Sequence, residues 1–542
     1  MNKIRWKFTS PTIHLLIATC TCLLLSLPCQ AQIDYFSSIS GLENLLRTEE
    51  YLLQSFREYV RASKQHLQTL ESELHRIEME YAQAARNAEN YLTNPVNVYR
   101  LMKRLTNDWT IYEERVQSDE AAQTFLRQMN EYRETLSFPS TEDFRASAAA
   151  LARLQETYHL DTTQIAGGFL NGVKYGTSMT WQDCFVLGKQ LFHLEEYNHT
   201  KMWLKESMQR LSREPYYRDP HTFDYVEDVA KSLLNLGDLE TALKLSDDVL
   251  SLDPTRSTAK YVKNTILTPV GERKPTLTTN PSYYHQTEEF ETYKKVCRGE
   301  ITASPTQLRP LRCRYETNNH PYRLIAPLKL EEHSLDPLVV TFHDFIDDTK
   351  IATIKYMAEP RMQRSTVRDV VTLSKATDFR ISKNAWLGYQ EHDYMLGMLR
   401  DLHDITGLDV TRCEKLQVAN YGLGGHYEPH WDFYLDTERM PEGLGNRIAT
   451  AIFYLSEVEQ GGATAFPNLK FAIKPKKGNV LFWYNLHRTL EGDYRTRHAA
   501  CPVLKGSKWI ANVWINDITQ PFTRPCLLHQ DDEISKPYAT IV

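Results

Sequence analysis

Gln417 to Phe433 reads QVANYGLGGHYEPHWDF: an apolar β-branched run from Leu416 to Tyr421, a glycine-rich turn, then His430 and Asp432 two residues apart. Alternate residues of a strand share a face, so the spacing predicts that His430 and Asp432 point the same way. His498 follows 66 residues after Asp432, where a returning strand can bring it beside them. Two neutral imidazoles and one carboxylate leave three coordination positions open, which an Fe(II) oxygenase needs for a bidentate co-substrate and dioxygen. A zinc hydrolase uses the same ligand types but keeps one open position beside an acid or base.

The residues around this stretch are of the same kind. Leu338 to Phe345, Ile448 to Leu455, Val480 to Tyr484 and Trp509 to Ile515 are short β-branched and aromatic runs bounded by Gly, Pro and Asn. Many short strands at such spacing predict a sandwich or jelly roll. Lys508 stands ten residues after His498 at the head of the last run. A lysine near the metal but not ligating it can hold the distal carboxylate of a 2-oxo dicarboxylic acid as a point charge.

Upstream the period changes to helical. Leu46, Leu53, Val60, Leu67, Leu74 and Tyr81 recur every seven residues, beside a weaker set of Leu42, Glu49, Phe56, Ser63, Leu70 and Ile77. Such a seam wants a partner helix, either a second copy, read here as self-association through residues 32 to about 145, or an element of its own domain. Further on, LGKQLFHLEEY from Leu187 and VAKSLLNLGDL from Val229 align at an offset of 42, and the second continues to Asp253-Pro254. That layout resembles tetratricopeptide units, whose stacked helix pairs make a concave groove. Tyr197, Trp203, Tyr216, Tyr217 and Tyr225 are either stacking faces for a proline-rich peptide in that groove or core. Leu267 to Tyr284, rich in Pro, Thr and Asn, reads as a linker.

At the start, Lys3, Arg5 and Lys7 precede an apolar run from Ile13 to Leu27 and small residues around Ala31, the layout of a cleaved secretory signal rather than a membrane span. Cys20, Cys22 and Cys29 leave with it, so Cys184, Cys297, Cys313, Cys413, Cys501 and Cys526 remain in a compartment where disulfides persist. None forms a CxxC pair, and Asn198-His199-Thr200 is a glycosylation sequon. The terminal Tyr538 to Val542 carries no lumenal retention address. Lys+Arg 63 against Asp+Glu 69 leaves a formal charge of −6, against a nucleic-acid binder, and 542 residues are too many for one core.

The motifs above, together with GNRIATAIFYLSEVEQGGATAFP, KKGNVLFWYN and GDYRTRHAACPVLKGSKWIANVW, resemble the catalytic domain of the collagen prolyl 4-hydroxylase α-subunit family, and the helical regions resemble that family's dimerising and peptide-binding parts. The resemblance implies an α+β multidomain chain. Its parts would be a signal peptide (1–31), a coiled-coil-like helical dimerisation domain (32–145), a tetratricopeptide-like peptide-substrate-binding domain (146–265), a linker with a disulfide (266–330) and a double-stranded β-helix, or jelly-roll, oxygenase domain (331–542). It implies His430, Asp432 and His498 as Fe(II) ligands, Lys508, Tyr421 and Thr464 around 2-oxoglutarate, and Tyr427, Arg447 and Trp514 at the proline entrance. It also implies disulfides Cys297–Cys313 and Cys501–Cys526, with Cys184 and Cys413 as thiols.

The same resemblance implies hydroxylation of peptidyl proline at C4 in collagen-like X-Pro-Gly sequences, coupled to decarboxylation of 2-oxoglutarate to succinate. Ascorbate would protect the iron. Protein disulfide isomerase would be the partner, two copies of each chain, in the endoplasmic reticulum lumen. Asn198, Asp228 and Lys231 stand where the family's groove leads one to expect tyrosine, which puts the peptide preference in question. The alternatives are a prolyl hydroxylase of another secreted substrate and an inactive peptide-binding or chaperone subunit.

Overall fold

The computed structural model describes residues 39–62, 68–115, 120–214, 220–268, 285, 287–318, 320–366, 379–435, 440 and 443–530. The leader, most of the linker, Ser63, Leu67, Tyr216, Tyr217 and the C-terminal tail lie outside the described residues. No described helix is long and apolar enough to cross a membrane.

The first region is helical: α1 (Ile39–Ala62), α2 (Gln68–Arg86), α3 (Pro95–Lys103), α4 (Glu120–Thr135) and α5 (Thr141–Tyr158). The seven-residue seam is used inside the chain. Leu46, Leu53, Val60, Leu42 and Phe56 are buried in one core with Ile77 of α2, Phe125 and Met129 of α4, and Trp109. Phe56 meets Trp109 edge-on and Phe125 at a tilt, with ring centroids 5.8 and 5.9 Å apart. Glu49, the polar break in the pattern, is buried against Arg104, whose Nε donates to its Oε1 at 2.6 Å. Of the two partners the periodicity allowed, the described helices show the internal one. Heptad spacing reports an apolar stripe and carries no information about what covers it.

Two helix pairs follow, α6 (Trp181–His193) with α7 (Tyr197–Leu211) and α8 (Pro220–Asn235) with α9 (Leu239–Leu252), then α10 (Ser257–Leu267). The 42-residue offset is visible in the backbone. Gly237 turns the second pair at φ +79, and Glu195, 42 residues earlier, takes φ +62 in the first. A left-handed residue is the usual way to close one helix and open the next. Asp238 then caps α9 by accepting from the Thr241 N–H.

The C-terminal region is built on two packed antiparallel sheets. Its strands are β1 (Cys313–Glu316), β2 (Leu328–Leu335), β3 (Leu338–His343), β4 (Gln363–Arg364), β5 (Arg380–Ile381), β6 (Lys383–Leu387), β7 (Leu416–Tyr421), β8 (His426–His430), β9 (Arg447–Tyr454), β10 (Thr464–Phe466), β11 (Phe471–Ile473), β12 (Val480–Tyr484), β13 (His498–Ala500), β14 (Val503–Lys505) and β15 (Lys508–Asn516). The large sheet runs β1-β2-β3-β12-β9-β15-β7-β6-β4 and the small one β11-β10-β13-β8-β5. Strand alternation gives each face of the large sheet its own task. Val418, Phe453, Phe482 and Val513 pack outward under helices α12 (Asp348–Ala358) and α13 (Asp393–Thr406), with Ile351, Ile354, Met398 and Leu402. Tyr421, Ile452, Tyr454, Trp483 and Ile510 turn inward to meet Phe466, Ile473 and Ala500 of the small sheet.

The cysteines differ from expectation. Cys297 is bonded to Cys501, with Cα atoms 5.6 Å apart, while Cys313 and Cys526 are exposed thiols, so the pairs Cys297–Cys313 and Cys501–Cys526 are not formed. The cause is packing: helix α11 (Glu288–Arg298) buries Tyr293 and Val296 against Ala463, Ala465 and Ala499 of the small sheet, which sets Cys297 over Cys501. Cys184 and Cys413 are thiols.

The helical core continues into the β-sheet region, since Ile381, Leu423 and Leu504 are buried in it. Gly424 lies where α5 presses on the turn between β7 and β8. Its φ is +57, and a Cβ there would sit 2.9 Å from the Cβ of Ala150. Gly424→Ala is therefore expected to cost about 1–3 kcal/mol by overpacking, read as a lowered midpoint in denaturant unfolding of the full chain.

Candidate active site

Two strands of the small sheet bring the histidines together. His430 of β8 and His498 of β13 are register partners, with ring centroids 4.4 Å apart. Asp432 is not on the strand. β8 ends at His430, and its register shifts between Tyr427 and His430, where Pro429 has no N–H to give to a ladder. The chain bends there and presents the Asp432 carboxylate from the following turn, with Oδ1 3.7 Å from His430 Nε2 and Oδ2 3.5 Å from His498 Nε2. One ligand atom from each of the three residues lies within 4.8 Å of the others.

Each ligand is held from behind. His430 Nδ1 lies 2.8 Å from the Glu428 carbonyl and His498 Nδ1 3.0 Å from the Thr496 carbonyl, so each Nδ1–H is donated to the backbone and Nε2 faces the shared point. Burial lowers the pKa of both imidazoles, which keeps them neutral and able to ligate. Burial alone would raise the Asp432 carboxyl, but the two imidazoles facing it and the Arg447 guanidinium bring it down to about 2. The Thr450 hydroxyl donates to Asp432 Oδ2 at 2.8 Å, Asn485 Nδ2 donates to Thr450, and Trp483 Nε1 donates to Asn485 at 2.7 Å. This relay was not visible in the sequence, because a threonine in one strand run and a tryptophan and an asparagine at the end of another carry no motif. Two imidazoles and a carboxylate, buried and oriented through their outer hydrogen bonds, fit a divalent iron with open positions.

Lys508 opens β15 directly opposite Tyr421 of β7, so the two side chains share the inner face. It is 1% exposed. Its Nζ donates to Thr464 Oγ1 at 3.4 Å and lies 5.6 Å from the Tyr421 ring, and no carboxylate of the described residues pairs with it. Burial brings its pKa down to about 7. A cation buried without its anion marks a place for an anionic ligand. The ammonium form is the one that binds a carboxylate, and it is present below the lowered pKa. For 2-oxoglutarate, the anion that the sequence resemblance leads one to expect there, affinity should be greatest below about pH 7 and fall as pH rises through it. Measuring KM for 2-oxoglutarate between about pH 6 and about pH 8.5 checks this, and Lys508→Arg, charged throughout, should flatten the profile.

All nine candidates, His430, Asp432, His498, Lys508, Tyr421, Thr464, Tyr427, Arg447 and Trp514, line one cavity of about 600 Å³. Tyr427 stacks on His430 at 3.5 Å. Arg447 lies 3.8 Å over the Trp514 ring and is clamped by Glu414, its Nε donating at 2.5 Å and Nη2 at 2.7 Å. Glu414, Trp386 and Arg380 also line this mouth and were not singled out by the sequence; Arg380 sits 4.8 Å over Tyr427.

The middle-region candidates are elsewhere. Tyr225 is 43% exposed and meets Trp181 and Phe185 edge-on, at 5.2 and 5.5 Å. Tyr197 packs edge-on against Phe192. Trp203 is core, its Nε1 donating to Gln155. Asp228 pairs with Lys189 at 3.1 Å. Asn198 is exposed in the first turn of α7, while the Thr200 hydroxyl of its sequon is buried and bonded to the Glu196 carbonyl.

Comparison with known proteins matches this geometry. Residues 38–172 match the N-terminal region of the prolyl 4-hydroxylase α-subunit, 181–265 its peptide-substrate-binding domain, and 416–516 the 2OG-Fe(II) oxygenase superfamily. Prolyl 4-hydroxylase subunit alpha-1 of Homo sapiens is 37% identical over 521 residues, 92% of this chain and 96% of that one. The chain belongs to the prolyl 4-hydroxylase α-subunit family. Subunit alpha-2 of Gallus gallus is 38% identical over 521 residues, and that of Caenorhabditis elegans 37% over 527, each covering 96% of the relative. A solved viral collagen prolyl hydroxylase from Paramecium Bursaria Chlorella virus-1 matches 32% of this chain at 29% identity, with a TM-score of 0.27. Within this prolyl 4-hydroxylase family member residues 416–516 belong to a 2-oxoglutarate–Fe(II) oxygenase domain, and the triad of His430, Asp432 and His498 fits its Fe(II).

Proposed function

We propose that this chain hydroxylates peptidyl proline at C4 in collagen-like X-Pro-Gly sequences, converting 2-oxoglutarate to succinate and carbon dioxide. The observation that carries the reading is the His430, Asp432 and His498 cluster sharing one cavity with the Lys508 ammonium, which no carboxylate of the described residues pairs. His430, Asp432 and His498 would hold Fe(II), which when bound activates dioxygen for transfer of one oxygen atom to a C–H bond and the other to the decarboxylating acid. Lys508, with Thr464 and Tyr421 beside it, holds the distal carboxylate and so aims the 2-oxo end at the triad. Tyr427, Trp514 and the Glu414-clamped Arg447 shape the mouth through which a proline ring enters, and the inner apolar face, from Ile452 to Ile510, excludes water.

The finer readings follow the family. Ascorbate restores iron oxidised in uncoupled turnovers. The chain works in the endoplasmic reticulum lumen after loss of residues 1–31, held there by protein disulfide isomerase, two copies of each chain. The middle helix pairs bind the extended peptide, with Tyr225 and Tyr197 as aromatic faces and Asn198 as the glycosylation position. The Lys189–Asp228 pair beside Tyr225 favours a second reading of the substrate, a secreted proline peptide other than collagen. Supplying (Pro-Pro-Gly) repeats and proline peptides lacking glycine to the purified enzyme separates the two. Succinate formation stimulated by the repeat supports the first, and stimulation by the glycine-free peptides alone would replace it with the second.

A further inference from the structure

The carboxylate anchor is not held by the oxygenase sheets alone. Lys508 follows a turn, Gly506-Ser507, and that turn is seated on the N-terminal helical region. The Gly506 N–H donates to the carbonyl of Thr93 at 3.3 Å, and Lys505 Nζ lies 3.6 Å over the ring of Tyr175. The third tie is a side chain. Asn420 precedes Tyr421 on β7, so its carboxamide points to the opposite face from the cavity, where it is fully buried. Its Oδ1 accepts the Ile39 N–H at 3.2 Å, from the first turn of α1, whose backbone donors have no partner within the helix. Its Nδ2 donates to Ser507 Oγ at 2.9 Å and to the Lys508 carbonyl at 3.4 Å. One amide therefore joins the start of the helical region to the two residues that end in the anchor.

We infer that Asn420 is a positioning residue for 2-oxoglutarate: by linking α1 to Ser507 and Lys508 it fixes where the Lys508 ammonium stands, so the helical region sets co-substrate affinity from behind the sheet. The inference rests on Lys508 being the carboxylate anchor. Of the residues the link joins, Ile39, Asn420 and Ser507 do not line the cavity, and Lys508 alone of them enters it.

The test is a cycle of Asn420→Ala, Ser507→Ala and the double variant in the full-length chain, read by calorimetric Kd for 2-oxoglutarate on the iron-loaded enzyme without peptide, and by steady-state kinetics. Asn420→Ala should weaken 2-oxoglutarate binding by about tenfold, the worth of one buried hydrogen-bonded link. Ser507→Ala should weaken it by less, and the double variant should be no weaker than Asn420→Ala, because both cut the same link. KM for 2-oxoglutarate should rise with Kd, while KM for the peptide and kcat change much less. Unchanged Kd in either single variant, additive losses, or equal losses in every kinetic constant would overturn the inference. Should Asn420→Ala not fold, Ser507→Ala alone decides by its Kd. A wild-type enzyme that shows no 2-oxoglutarate-dependent turnover would instead fail the proposed function and remove the inference with it.

Discussion

His498→Ala is expected to reduce peptide-dependent succinate formation to background and to abolish stoichiometric uptake of ferrous ion. The imidazole is one of three groups meeting within 4.8 Å, and removing it leaves two ligands and a hole on the side of the small sheet. Loss of an outer partner of a ligand costs roughly 10–100-fold in metal affinity, and loss of a ligand itself costs more. The fold should survive, because His498 is a short strand's first residue and the core around it, Phe466 and Trp483, remains packed. Iron uptake measured by spectroscopic titration, beside a far-ultraviolet spectrum matching wild type, checks both halves. Full activity in this variant would support an inactive peptide-binding subunit, in which the triad is ornamental.

Lys508→Met has the next largest effect. Truncating one partner of a buried charge pair costs about 2–5 kcal/mol, so affinity for 2-oxoglutarate should fall at least about 30-fold. The variant should unfold no more readily than wild type in the absence of co-substrate, since it removes a buried cation that no described acid offsets and whose pKa burial has already brought down to about 7. Weaker binding without lower stability is the signature of an anchor; a structural lysine would give the reverse. Unfolding curves with and without 2-oxoglutarate measure both quantities in one experiment.

Much of this was legible in the residues. The runs Leu416–Tyr421 and Val480–Tyr484 are strands over the predicted spans, because dense β-branched and aromatic residues bounded by turn formers leave little choice. The pairing of His430 with His498 followed from a strand that had to return. The position of Asp432 did not, because Pro429 ends the regular strand and the period of two stops with it. The small sheet was mostly unread, since strands of two or three residues such as Arg380–Ile381 and His498–Ala500 are too short to show a period. Long-range pairings were the least legible. Cys297 meets Cys501 across 204 residues because α11 docks on the small sheet, and Glu49 meets Arg104 because the apolar seam folds onto its own chain. Local pattern reports which face is apolar, and tertiary packing decides what covers it.

The most direct measurement is mass spectrometry of a (Pro-Pro-Gly) repeat incubated with the purified enzyme, Fe(II), 2-oxoglutarate and ascorbate. The account predicts the added mass of one oxygen atom on the proline preceding glycine, with one succinate formed for each oxygen transferred and neither product from His498→Ala. A repeat of unchanged mass with the wild-type enzyme, or oxygen added equally by the wild type and the variant, would contradict it.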